Sequence, residues 1–388
     1  MCLLAAMVNG AASHAVEMDD LHRESIFHPA SAIIPAAFAA AERGHVSGVA
    51  LIEALIAGYE VGIRVAVAAG PNHYKYWHTT ATCGTFGAGA AAARVLNLNE
   101  EQTAWALGSA GTQAAGLWEF LVENAMSKQL HPGKAAMNGL LAALLADRGF
   151  IGPLGILEGE KGFFRATSQD FDEEKCIANL GQEFLSEENS LKHYASCGHT
   201  HSAIEATLKA AEGKAFGPEE IKAISVSTYW AALDLLKRVE PKTPYMAKFN
   251  LPFCVATAVR YGRVDLRAFT EGRLEDLEIR ALMKKVSLHV DPELDRNYPK
   301  KWPSKVEIVT RDGRRLVGVC DYAKGDPRNP LSEDEVVQKF KDLTEGIIPY
   351  EAMKDIIDRV MNLESLKDVT EIFGEWRQRC PSSRSSTS

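Results

Sequence analysis

A chain of 388 residues, 46% hydrophobic and 24% charged, has the length and balance of about two globular domains. Its formal net charge of −8, with no tract of lysine or arginine, argues against a nucleic-acid-binding surface. The longest apolar run, residues 47–70, is interrupted by Glu53, Glu60 and Arg64, so it reads as a buried helix with paired charges and not as a membrane span.

The first residues, MCLLAAMVNG, lack the basic start and cleavage pattern of a secretory signal. The seven cysteines (Cys2, Cys83, Cys176, Cys197, Cys254, Cys320, Cys380) are scattered and never form a C-x-x-C pair. Free thiols and a cytoplasmic location are therefore expected, without a disulfide framework or structural zinc.

From residue 2 to about 149 the pattern is helical and rich in alanine. Helices are expected at roughly 2–16, 29–43, 47–69, 79–96, 100–115 and 133–148. Asn99 and Gln102 form a capping-box pair, and Gly149 stands where a helix C-terminus wants glycine. Gly84, Gly87, Gly89, Ala91 and Ala92 allow close helix–helix approach, which predicts a bundle. Residues 150–190 turn polar and irregular.

Strand-like alternation follows at 221–229, 284–291 and 305–322, the last turning about Asp312-Gly313, a two-residue hairpin signal. Helices at about 201–213 and 248–262 lie among these strands. Ser332 and Glu335 make a second capping box, and the chain reads as helical to Trp376, with Ile356, Val360 and Leu363 in helical spacing. The tail SSRSSTS is expected to be disordered.

The predicted fold is thus mainly α with an α+β second domain. A discontinuous all-helical bundle would take residues 1–189 and 332–388, and a smaller α+β lid domain residues 190–331.

Four polar islands could carry chemistry. EMDDLHRESIFHPA (17–30) sets Glu17, Asp19, Asp20, His22 and His28 between two apolar runs. It is either a pocket floor where protons move or a solvated loop between helices. KYWHTTATCG (75–84) puts His78 at the start of a helix, where partial positive charge favours a carboxylate; a cap or a packed side chain is the plainer reading.

MSKQLHPGKAA (126–136) spaces Lys128, His131 and Lys134 by threes at a helix start, either a cradle for a polyanion or an ordinary solvated helix end. LKHYASCGHTHSAIEA (191–206) combines Lys192, His193, Tyr194, Cys197, His199 and His201. Cys-x-His-x-His is a weak metal signal without a second ligand group, so acid–base use with anion binding is expected and no metal.

Together, and in order, these stretches resemble the MmgE/PrpD family. HAVEMDDLHRESIFHPASAIIPAA, WHTTATCGTFGAGAAAARVLNL, GTQAAGLWEF, MSKQLHPGKAAMNGLLAALLADRGFIGP, ILEGEKGFF, LKHYASCGHTHSAIEA, AKFNLPFCVATA and NPLSEDEVVQKF carry the likeness over nearly the whole chain. The resemblance implies a cofactor-free, homodimeric lyase, with its active site in a cleft between a helical domain and an α+β lid.

Members of that family include 2-methylcitrate dehydratase, cis-aconitate decarboxylase and iminodisuccinate epimerase. The resemblance assigns His28, His78, Lys128 and Lys192 to the active site, with Asp19, Asp20, His22, His131, His201 and Lys248 beside them.

Glu17, Leu21, Cys197 and Phe253 depart from the decarboxylase pattern, which has Asp, Thr, His and Tyr there. The likeness also begins where family members have already run some helices, so a preceding segment is expected.

The sequence therefore points to a hydro-lyase acting on a 2-methylcitrate-like di- or tricarboxylate, with an epimerase of a small dicarboxylate or a non-catalytic carboxylate-binding protein as alternatives. His28 or else His78 would remove a proton α to a carboxylate, Tyr194 or another histidine would supply the acid, and Lys128 and Lys192 would stabilise the developing enediolate. Glu17, Asp20, His22, His131, Cys197, His199, His201 and Lys248 are the expected substrate-binding set.

Overall fold

The computed structural model describes residues 1–123, 125–236, 240–374 and 376. By contact density the chain separates into two compact units. The first holds residues 1–12, 25–186 and the described residues from 332 onward; the second holds 13–24 and 187–331. The first is mainly helical and the smaller second is mixed, as the sequence patterns predict. The Ser-rich tail lies outside the described residues.

The first unit is built on α1 (Cys2–Ala15), α2 (Pro29–Gly44), α3 (Gly48–Tyr74), α4 (Thr79–Val95), α5 (Glu100–Gly111), α6 (Glu119–Glu123), α7 (Ser127–Asp147) and α8 (Phe163–Thr167). The last turn of α1 falls in the second unit. Helix α4 is central, and of its residues only Arg94 is not buried. A helix apolar all round must be covered on every side, and α2, α3, α5 and α7 cover it.

Small residues make this possible. A Cβ on Gly87 would come within 2.8 Å of the Gly58 carbonyl oxygen and of Ile33, so only hydrogen lets α3 and α4 approach so closely. Two of the α3 charges pair within the helix, Arg64 Nε lying 3.0 Å from Glu60 Oε2, and Glu53 pairs with Arg94 of α4. Arg64 also donates to the carbonyls of Ala178 and Glu183, and Glu60 accepts from the Ser186 amide, which fastens the irregular 170–186 segment onto α3.

Both capping boxes, at Asn99 and Ser332, form as predicted. Helix α7 starts at Ser127, six residues before the predicted start. Pro132 lies in its second turn, where a missing N–H forgoes a single bond, to the Lys128 carbonyl. In the C-terminal helix Tyr350–Met361, Met353 and Ile356 are buried but Val360 is exposed, and Leu363 lies beyond it in a 3-10 turn.

In the second unit β1 (Asp20–His22) and β2 (Asn189–Leu191) pair antiparallel, with Leu21 opposite Ser190. This ladder is invisible in the sequence, because three residues carry no readable period. It joins two of the polar islands.

Helices α9 (Gly198–Ala211), α10 (Trp230–Leu235), α11 (Pro244–Ala247) and α12 (Leu251–Tyr261) accompany a four-stranded sheet. Its strands are β3 (Ile221–Thr228), β4 (Val286–Val290), β5 (Ser304–Thr310) and β6 (Arg315–Cys320), in the order β4-β3-β5-β6. Only the β3–β4 pair is parallel.

Helix α9 lies on β5 and β6. The inward residues Ile224, Val226, Val306 and Ile308 are fully buried, matching the period of two. The β5–β6 turn differs from the expected two-residue form. Thr310 pairs with Arg314 around three residues, with Gly313 at φ 91°, so a left-handed glycine closes a wider connection.

Candidate active site

In the first unit two helix starts deliver imidazoles. His28 is the N-cap residue of α2 and His78 that of α4, and neither side chain caps its own helix. The rings are left for other contacts. The His28 amide donates to Thr80 Oγ1 at 3.2 Å, and Thr79 Oγ1 donates to the Ile26 carbonyl, so the two helix starts hold each other. The His28 and His78 rings lie 6.4 Å apart, nearly edge to face.

His131, on the second turn of α7, completes the group. Its Nδ1 stands 3.1 Å from His78 Nδ1. Two nitrogens at that distance share one proton, so one ring donates and the other accepts. When both rings are neutral, the donor keeps a lone pair on its Nε2 and the acceptor a proton on its own. The pair therefore offers one base and one acid.

Trp118 and Phe120 wall the pair, with ring centroids 4.8 Å and 6.3 Å from His78. No local pattern within GTQAAGLWEF marks either aromatic for this site. The loop before them reaches the pair because of Gly116: a Cβ there would meet Ala81 Cβ at 2.4 Å and His131 Nδ1 at 3.2 Å. The Gly116 carbonyl accepts from the His78 amide at 2.9 Å. Lys128 is buried in the first turn of α7, and Lys134 is exposed.

The second unit gathers a charged group. Lys192 follows β2 directly, and its amide donates to the Asp19 carbonyl. Its ammonium stands 2.7 Å from Glu17 Oε2 and 2.9 Å from Asp19 Oδ1, with all three side chains buried. Burial alone would lower the Lys192 pKa, but Asp19 and Glu17 outweigh it and hold it above the ordinary lysine value. His14 Nδ1 approaches the other Asp19 oxygen at 2.5 Å. The ammonium expected to meet substrate thus already meets two carboxylates of its own chain.

Around this group Lys248 Nζ donates to the Val16 carbonyl at 2.6 Å, and the Lys248 carbonyl accepts from the Cys197 amide. Asp20 accepts from Asn189 Nδ2, and buried His22 faces Asn189 across the ladder. Lys192 and His201 also help line a small, half-open cleft of about 40 Å³, with Leu21, Ser202, Trp302 and Tyr322.

Tyr194 donates to Glu205 at 2.6 Å, and burial, then the Glu205 charge, raises its pKa. A phenol so committed keeps its proton.

The Cys-x-His-x-His residues go to different partners. Cys197 is the N-cap residue of α9. His199 stacks on Trp302 with centroids 4.0 Å apart, and its Nδ1 stands 2.6 Å from the Tyr229 hydroxyl. Burial, helped by the Lys192 charge, lowers its pKa to about 3, so it is neutral near pH 7. His201 Nε2 donates to the Ser196 carbonyl.

Residues 2–175 match the MmgE/PrpD N-terminal domain and residues 194–363 the MmgE/PrpD C-terminal domain. The chain is 30% identical over 394 residues to the cis-aconitate decarboxylase-like protein oryM of Aspergillus oryzae, covering 95% of this chain and 81% of that one. The chain belongs to the MmgE/PrpD family.

It is also 29% identical over 396 residues to the cis-aconitate decarboxylase of Aspergillus terreus, covering 95% of this chain and 80% of the relative. The human cis-aconitate decarboxylase is 26% identical over 377 residues, with coverage of 94% and 77%.

Proposed function

We propose that the protein is a lyase acting on a small tricarboxylate, and that it removes CO2 from a cis-aconitate-like acid. The His78–His131 contact carries the chemical part of this reading. The substrate class rests on the named relatives, which match this chain over 94–95% of its length. In decarboxylation the carbon–carbon bond to one carboxylate breaks, CO2 leaves, and the electron pair stays on carbon until a proton arrives. The imidazole group, His28 included, is our candidate for that proton, and Lys128 for stabilising the developing charge. Lys192 holds Glu17 and Asp19 in place in this reading.

Dehydration of a 2-methylcitrate-like acid is the second reading. It is favoured by Leu21, Cys197 and Phe253, which leave out three polar groups of the decarboxylase pattern. Epimerisation needs the same acid and base and breaks only a C–H bond, which re-forms on the opposite face.

Proton NMR in D2O with evolved CO2 measured alongside separates the three. CO2 with a new vinylic product from cis-aconitate supports decarboxylation. Conversion of the 2-methylcitrate methyl doublet into a methyl singlet on a double bond, without CO2, supports dehydration, and exchange of an α-hydrogen alone supports epimerisation. No change in any of these acids would sink the lyase reading.

A further inference from the structure

Tyr245 lies in α11, one turn before Lys248, and that turn is tied twice to the charged group. Lys248 Nζ holds the Val16 carbonyl beside Glu17, and the Lys248 carbonyl holds the Cys197 amide. The ring of Tyr245 packs near Phe249, with centroids 5.3 Å apart. Its hydroxyl is shut off from solvent and has no hydrogen-bond partner among the described residues. Burial, then the charges of Glu17, Cys197 and Asp19, raises its pKa, so the oxygen keeps its proton.

A phenol in this state is a poor choice for folding. Burying a hydroxyl without a partner costs free energy that phenylalanine would not incur. The two ammonium groups beside this segment are already engaged, Lys192 with two carboxylates and Lys248 with the Val16 carbonyl.

We propose that Tyr245 is a ligand-binding residue, its hydroxyl donating a hydrogen bond to a carboxylate of the bound acid. The inference rests on the polycarboxylate reading above and adds a residue that reading does not contain. It also gives the second unit a neutral donor, suited to an anion beside residues whose own carboxylates would repel it.

The test is Tyr245→Phe in the full chain, titrated calorimetrically with citrate and with tricarballylate, a saturated tricarboxylate that cannot eliminate water. A lost hydrogen bond to a charged ligand predicts binding weaker by about tenfold or more. The melting temperature should stay level or rise, because only an unpartnered oxygen is removed.

Equal affinity in the two proteins would overturn the inference and leave the polycarboxylate reading standing. A clear fall in melting temperature would reassign Tyr245 to a structural role. Failure of the unaltered protein to bind either acid would overturn the broader reading, and this inference with it, before the variant is considered.

Discussion

Lys192 Nζ lies 2.7 Å from Glu17 Oε2, and each side chain is only 1% exposed. The ladder between β1 and β2 brings them together from positions 175 residues apart in the sequence. Removing one partner of a buried pair strands the other charge, which costs about 3–5 kcal/mol. Lys192→Met strands Glu17 and Asp19 together, whereas Glu17→Gln leaves Lys192 with Asp19. Urea unfolding should therefore show the larger loss for Lys192→Met, and equal losses would contradict the arrangement.

The histidine pair predicts a different outcome. His78→Ala should lower turnover of the true substrate by about 10²–10⁴. His131→Phe should do nearly as much, because the contact that sets the His78 tautomer is gone. His131→Asn can place an amide near the Nδ1 position and should retain more activity. If His131→Phe changes the rate by less than about tenfold, the pair is not the acid–base device.

Buried His73 supplies a pH effect. Its Nε2 and Nδ1 meet Thr82 and Thr167, and burial lowers its pKa from 6.5 to about 4. In the unfolded chain the same ring takes up a proton near pH 6.5. The folded state therefore loses stability as pH falls from about 6.5 to about 4, by on the order of 3 kcal/mol in full. Unfolding free energies at pH 7 and pH 5 should differ less in His73→Gln than in the parent. Identical differences would remove His73 as the source.

Gly116→Ala should push the loop away from Ala81 and His131, since the new Cβ would lie 2.4 Å from Ala81 Cβ. Overpacking of this kind costs about 1–3 kcal/mol. Activity should fall further than stability alone accounts for, because the loop carbonyl holds the His78 amide. An active enzyme with an unchanged melting temperature would show that the loop moves freely.

Arg64→Leu tests the irregular segment. The variant strands buried Glu60 and releases the carbonyls of Ala178 and Glu183. A loss of about 3–5 kcal/mol is expected, with early proteolysis between residues 170 and 186. Cleavage at an unchanged rate would mean that other contacts hold the segment.

The helical unit was legible because α4 and its neighbours are long and carry signals at their ends, as at Asn99 and Ser332. The start of α7 was missed because Pro132 reads as a boundary, yet at the second turn it forgoes only one bond. The candidate histidines were legible as residues, but their pairing was not. His78 and His131 lie 53 positions apart, and nothing local encodes a 3.1 Å contact between two rings. Tyr245 escaped notice for the opposite reason, since a single tyrosine between prolines and lysines carries no pattern until its burial is known.

The β1–β2 ladder also sets an order of assembly. On the ribosome, residues 20–22 emerge long before 189–191, and the segment between them belongs to the other unit. Closing so long a loop costs entropy that grows as the logarithm of its length, and compacting the intervening helices first shortens the effective distance. The helical unit is thus placed to fold during synthesis while β1 waits for its partner. Nascent chains stalled before residue 189 should protect the α2–α5 amides from hydrogen exchange and leave Asp20–His22 unprotected.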